Sequence, residues 1–308
     1  MMKLCPGSYC GVGDASVTDI RNCSACLWGY RPTKYSICEK CVNAMPVYDW
    51  MYLGFMLLIS FVLHSIAIDV QTNRKSSFKM LWMYLSAVLE TVAAAVCSLL
   101  LVRPVGSLEL QSCTVESIQD WYPVFFNPLI FYTTRLNCTQ EMVYPLYTIV
   151  MIFYALQVPA MLLLRPIFSH RLLSKQGVDT CGPIYSALYF LPIMVLVHSI
   201  AAGILYYCYP YVTLLISGIS LAIHVSQYDE ENALELLLKS LYDGRSFAIL
   251  TLHWLLHAFG ILALIDIGSN VVLTGCLMLL VPVPYLLYIL TAKHTCPRRI
   301  DAVLALTS

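Results

Sequence analysis

The chain has 308 residues, 59% of them hydrophobic and 12% charged, with 18 Lys and Arg balanced by 18 Asp and Glu. A balanced charge gives no electrostatic footprint for nucleic acid, and a mean hydropathy of +0.73 excludes an ordinary soluble domain. What remains is an integral membrane protein.

The first 46 residues stand apart. Six of 13 cysteines lie there: Cys5, Cys10, Cys23, Cys26, Cys38 and Cys41. Around them are Pro6-Gly7, Trp28-Gly29 and several tyrosines, with almost no aliphatic run. So short a segment cannot bury enough apolar surface to fold alone, so it needs cross-links. The spacing Cys23-X2-Cys26-X11-Cys38-X2-Cys41 suits a zinc ribbon. The alternative is three disulfides in an oxidising compartment. The even count, which includes Cys5 and Cys10 outside the ribbon pattern, favours disulfides. Cys5-Pro-Gly-X-Tyr-Cys10 followed by Cys23-X2-Cys26-X2-Gly-Tyr resembles small cysteine-rich repeats of extracellular receptors.

Beyond residue 46 come seven apolar segments, each about as long as a bilayer is thick, which a helix crosses in about 20 residues. They lie near 50–68, 81–102, 146–164, 184–205, 210–225, 247–267 and 271–291. Residues 184–225 contain no Asp, Glu, Lys or Arg, and we divide them at Tyr206-Tyr207-Cys208-Tyr209-Pro210-Tyr211. There a proline breaks the helix and tyrosines suit a membrane interface. The second half is short, and a re-entrant segment is the alternative. The expected fold is an all-α polytopic membrane protein: seven transmembrane helices (47–293), a small lumenal cysteine-rich N-terminal domain (1–46) and a cytosolic tail (294–308).

Orientation follows from charge and sequons. With the N-terminus outside, most Lys and Arg fall on the cytosolic side: Arg74, Lys75, Lys79, Arg165, Arg171, Lys175, Lys239, Arg245, Lys293, Arg298 and Arg299. Asn22-Cys23-Ser24 and Asn137-Cys138-Thr139 then both face the lumen, where N-glycosylation occurs. No cleavable signal peptide is visible, so the first span is expected to carry the N-terminal tail across. The lumenal loop 103–144 holds two cysteines, Cys113 and Cys138, and a disulfide between them is the simplest pairing.

Inside the spans, Glu90 sits at the centre of the second segment, where a carboxylate must be protonated or paired. His253 and His257, four residues apart, share one helix face. Helical rise places His257 level with Glu90, and His64 level with His253. These four are expected to form a polar seam between the first, second and sixth helices. It would serve packing through interhelical hydrogen bonds, or a metal site or proton relay. No nucleotide loop, nucleophile elbow or acid pair appears, and no cofactor or enzymatic activity is expected.

On the cytosolic side, 229–243 reads as an amphipathic helix with an acidic start, a leucine-rich middle and Gly244 as its stop. In the tail, Arg298-Arg299 followed by Leu304-X-Leu306 resembles a docking peptide for mitogen-activated kinases.

Longer blocks carry a wider resemblance: the Cys23–Cys41 pattern, Tyr48-Asp49-Trp50-X-Tyr52-Leu53-Gly54-Phe55, Asp120-Trp121-Tyr122, Val143-Tyr144-Pro145-Leu146-Tyr147-Thr148-Ile149-Val150, Leu163-Leu164-Arg165-Pro166, Ala187-Leu188-Tyr189-Phe190, His253-Trp254-Leu255-Leu256-His257-Ala258 and Thr291-Ala292-Lys293. In these the chain resembles the Jun-kinase-associated membrane protein family along nearly its whole length. The resemblance implies a seven-span endoplasmic-reticulum scaffold. It also implies recruitment of proteasomes and degradation factors, work with a membrane ubiquitin ligase, and control of how long Jun N-terminal kinase stays active. A seven-span receptor shares the topology but would want Asp-Arg-Tyr after the third span and Asn-Pro-X2-Tyr in the seventh, and neither is present. A small-molecule or metal transporter would use Glu90 and the histidines.

Overall fold

The computed structural model describes residues 5, 7–12, 23–71, 77–126, 138–168, 181–226, 233–265 and 271–295. The chain divides into two compact units, Met1–Tyr206 and Tyr207–Ser308.

In the first unit, the N-terminal head is built from strands only two or three residues long. β1 (Cys10–Gly11) pairs with β2 (Ser24–Ala25), and β3 (Tyr30–Pro32) with β4 (Cys38–Lys40), both antiparallel. The next strand, β5 (Asn43–Ala44), pairs outside the head with β6 (Gln111–Ser112) of the long loop, in the register Asn43↔Ser112 and Ala44↔Gln111. Ladders this short contribute little, so covalent links must hold the head. Gly11 shows how tightly they pack: a Cβ there would lie 2.5 Å from Cys38 Sγ and 2.8 Å from Cys26 Sγ.

The helices of this unit are α1 (Val47–Gln71), α2 (Ser77–Leu101), a single turn α3 (Pro123–Phe126), α4 (Leu146–Phe168) and the first part of α5 (Cys181–Val225). α2 packs on both α1 and α4. The start of α4 is fixed by Glu141, whose carboxylate accepts from the Thr148 backbone N–H at 3.0 Å and from the Thr148 hydroxyl. Burial pushes the Glu141 pKa up, and the Thr148 hydrogen bonds pull part of that back. The surface is the reverse of a soluble protein's. On α5, Ile193, Leu196, Ile200 and Ile204 are exposed at helical spacing, whereas His198 is buried. An apolar stripe outside and polar groups inside is what a lipid solvent selects.

Two sequence expectations change here. Among the described residues, five stretches are long and apolar enough to span a membrane: Val47–Gln71, Leu81–Leu101, Leu146–Ile167, Cys181–Val225 and Val272–Thr291. The expected spans 184–205 and 210–225 are one uninterrupted 45-residue helix, α5. Pro210 lacks the N–H that would bond the Tyr206 carbonyl one turn back. That carbonyl instead accepts the Tyr48 hydroxyl at 2.8 Å, so the freed group is satisfied and the helix continues. Nor are the tyrosines there a uniform interface belt, since Tyr206 and Tyr209 are buried while Tyr211 is exposed. The expected span 247–267 corresponds to α7 (Gly244–Leu264), whose apolar part, Ile249–Leu264, is shorter than the other five.

The second unit holds the rest of α5, α6 (Ala233–Tyr242), α7, α8 (Val271–Met278) and α9 (Val283–Thr295). Its core is Leu221, Val225, Leu250, Tyr285 and Ile289, with Leu237, Trp254 and Tyr288 packed against it. α6 and α7 meet at Asp243, which caps α7 by accepting from Ser246 N at 3.1 Å and Ser246 Oγ at 2.6 Å. Within 229–243, the described helix is the ten-residue α6.

Candidate functional site: a cross-linked cap and a buried ion pair

The head and the loop between α2 and α4 form one cap, tied by four disulfides: Cys5–Cys23, Cys10–Cys138, Cys26–Cys38 and Cys41–Cys113. The expected Cys113–Cys138 bridge is replaced by two crossed links, one from each loop cysteine to the head. The physical reason is the β5–β6 pairing, which brings Cys41 beside Cys113 and leaves Cys138 to Cys10. The ribbon set is divided too, since Cys26 pairs with Cys38 while Cys23 and Cys41 pair outside it. Among the described residues no group of three or more His, Cys, Asp or Glu is arranged to hold a metal.

Asp120 is the polar centre of the cap. Its Oδ2 accepts from the backbone N–H groups of Glu116 at 2.9 Å and Ser117 at 3.1 Å, and from Arg31 Nη2 at 3.2 Å. Oδ1 accepts the Tyr9 hydroxyl at 3.2 Å. Burial, then the Asp120 charge, pushes the Tyr9 phenol up to about 12, so it stays a donor at any physiological pH. Arg31 also donates to the Thr114 carbonyl and pairs with Glu116 at 3.0 Å, and Gln140 Nε2 donates to the Tyr9 carbonyl at 2.6 Å. An open cleft of about 630 Å3 runs along this junction, lined by residues that include Arg31, Lys34, Glu39, Lys40, Asn43 and Glu116.

The cap is seated on the helices by aromatic rings. Trp121 lies 5.8 Å from the Tyr52 ring and 5.1 Å from that of Tyr206, and the Tyr206 hydroxyl donates to Asp49 Oδ1 at 2.6 Å. A Cβ at Gly203 would come within 2.9 Å of both Trp121 Cβ and Tyr122 Cε2. Gly203→Leu is therefore expected to push the Trp121–Tyr122 segment off α5 and lower stability by about 1–3 kcal/mol. Thermal unfolding of the purified protein in detergent would read that loss, and an unchanged midpoint would refute the contact.

Deeper in the same unit lies an ion pair. Arg165 of α4 grips Glu90 of α2 with two bonds, Nη2 to Oε2 at 2.6 Å and Nε to Oε1 at 3.2 Å. Ser86 Oγ donates to Glu90 Oε1 at 2.6 Å, and Arg165 Nη1 donates to the Pro183 carbonyl of α5 at 3.3 Å. His64 of α1 completes the group, its Nδ1 lying 3.2 Å from Arg165 Nη2. Facing a guanidinium, that nitrogen must be the unprotonated acceptor, so the ring is neutral. Arg165, Glu90 and His64 are all 0% exposed. One cluster thus joins four helices. One to two turns away, Ser60 Oγ donates to Gln157 Oε1 at 2.7 Å, tying α1 to α4 again.

A family profile described as JNK1/MAPK8-associated membrane protein matches residues 5–297. The chain belongs to that family. It is 38% identical to the JNK1/MAPK8-associated membrane protein of Homo sapiens and equally to that of Mus musculus, each over 97% of this chain and 96% of the relative. The Caenorhabditis elegans homolog is 30% identical over 92% of this chain and 86% of its own length. No solved structure matches.

For this member of the JNK1/MAPK8-associated membrane protein family, two of the four residues of the expected polar seam lie in the first unit and two in the second. His64 and Glu90 come together, but through Arg165, which charge bias alone assigns to the cytosolic side. His253 and His257 belong to the other unit, where Ser217 Oγ donates to the His253 carbonyl at 3.1 Å. A signal for Arg165 existed: Gln157, Met161 and Arg165 fall at i, i+4 and i+8, one face of α4, and all three are buried. Asn22 and Asn137, and Arg298, Arg299, Leu304 and Leu306 of the tail, lie outside the described residues.

Proposed function

We propose that this chain is a non-enzymatic scaffold of the endoplasmic-reticulum membrane, with a lumenal N-terminus and a cytosolic C-terminus. It gathers proteasomes and ER-associated degradation factors near a membrane ubiquitin ligase and modulates Jun N-terminal kinase signalling under stress. The observation that carries this reading is the near full-length match to relatives named for association with JNK1/MAPK8. Four disulfides in the cap support an oxidising compartment on the head's side, which is also the side of both sequons. Removing N-glycans is expected to shift the mobility of the wild type but not of the Asn22→Gln/Asn137→Gln double variant. A tag after Ser308 should be digested by protease added to sealed microsomes, and its protection would overturn the assignment and imply an even number of spans.

The partner surface must then lie in the cytosolic parts. Leu237 of α6 is already used against the core of its own unit, which leaves the tail as the favoured surface. The family match stops at residue 297, so the Arg298–Leu306 docking pattern stands just beyond it. Deleting residues 296–308 is expected to reduce co-precipitation of proteasome subunits and Jun N-terminal kinase several-fold while membrane insertion is retained. Arg298→Ala/Arg299→Ala/Leu304→Ala/Leu306→Ala should remove the kinase alone. If both variants keep every partner, the tail is not the scaffold's binding surface.

A further inference from the structure

We propose that residues 123–126, in the loop between α2 and α4, insert into the head-side leaflet as an apolar wedge whose partner is lipid. Three consecutive large side chains are exposed there: Val124 at 40%, Phe125 at 79% and Phe126 at 44%. Contiguous exposed apolar side chains mark a surface for a membrane or a partner.

What the neighbouring residues touch sets the depth. Trp121 packs on Tyr52, which belongs to the membrane-spanning stretch Val47–Gln71. Tyr52 is five residues into α1, so the contact lies about 7.5 Å along the axis from its first residue. Tyr122 lies directly on Gly203 of α5, whose backbone N–H points at its hydroxyl at 3.2 Å. Phe125 is fixed to Tyr122 by a backbone hydrogen bond of 3.0 Å and a ring contact of 6.5 Å. The Phe125 ring is therefore held one ring contact from Tyr122, which itself sits on Gly203, beside a helix whose outer face is apolar. Counted from the start of the apolar stretch Val47–Gln71, the contact of Trp121 with Tyr52 falls in the range of about 5–10 Å at which interfacial segments bury their apolar faces. No Lys, Arg, Asp or Glu occurs from Trp121 to Phe126, so no charge opposes insertion.

The wedge also explains why Trp121 and Tyr122 turn inward. They spend their rings on α1 and α5, and the next three side chains are left exposed, which the bilayer would cover. The cap is thereby moored twice, by rings against helices and by rings in lipid.

The test uses the full-length chain with Cys97, Cys181, Cys208, Cys276 and Cys296 replaced by serine, reconstituted into phosphatidylcholine vesicles. A bimane is attached at Phe125→Cys and, in separate samples, at Val124→Cys and at Tyr35→Cys in the head. Nitroxide-labelled phosphatidylcholine is expected to quench the probes at 125 and 124 by about twofold, with iodide nearly without effect, as for groups at the headgroup–acyl boundary. The Tyr35 probe should show the opposite pattern. Probes at both 124 and 125 that respond to iodide like the Tyr35 probe, and not to the lipid nitroxide, would overturn the proposal. Because position 124 is less exposed than 125 but shares its depth, it keeps the test decisive if Phe125→Cys does not fold.

Discussion

Arg165→Leu is expected to cost about 3–5 kcal/mol, because it leaves the Glu90 carboxylate buried without its partner. Glu90→Leu should cost a similar amount by stranding the guanidinium. Glu90→Gln keeps an acceptor for Ser86 but leaves Arg165 unneutralised, so it should fall between the wild type and Glu90→Leu. The decisive comparison is the double variant Glu90→Leu/Arg165→Leu, which removes both charges and should be markedly milder than either single change. A double-mutant cycle read by unfolding in detergent measures the coupling. Additive losses would mean that the pair is not an interacting unit. Nothing in this prediction depends on whether the chain is a scaffold. Each of α2 and α4 carries a buried charge that, among the described residues, the other neutralises, so the two helices must meet for either to be stable in lipid.

Cys41→Ser or Cys113→Ser is the second change with a large expected effect. The bridge closes a separation of 72 residues, and Cys10–Cys138 one of 128. Removing either is expected to destabilise the cap by about 2–5 kcal/mol, as for native disulfides of small domains with little core. Peptide mapping without reductant should recover head peptides joined to loop peptides: Cys41 with Cys113, and Cys10 with Cys138. Recovery of a Cys113–Cys138 peptide would contradict the pairing. The same change should loosen Arg31 from Asp120, because that contact joins the two halves that the bridge holds together.

Much of the architecture was legible before any coordinates. A spanning helix satisfies its own backbone hydrogen bonds, so a long apolar run announces itself without knowledge of its neighbours. That is why the segments near 50–68, 81–102, 146–164 and 271–291 all correspond to spanning stretches. The cysteine-rich head was legible for a similar local reason: its composition leaves it too little apolar surface to fold uncrosslinked. The family, too, was readable from ordered blocks along the chain.

What the sequence left open depends on residues far apart in it. Cysteine content says that links form, but which sulfurs meet depends on β5 finding β6 some 70 residues later. Arg165 at the end of an apolar run reads equally as a snorkelling terminus or a buried cation. Only the rotation of α4 against α2, with Glu90 on the facing side, makes it buried. Pro210 marks a helix end by every local rule, yet α5 continues because a hydroxyl on Tyr48 reaches the carbonyl that the proline abandons. Segment length, composition and hydropathy are properties of one stretch of chain, and the sequence determined them. Pairing, helix rotation and the rescue of an orphaned carbonyl are properties of two stretches at once, and only the tertiary structure decided them.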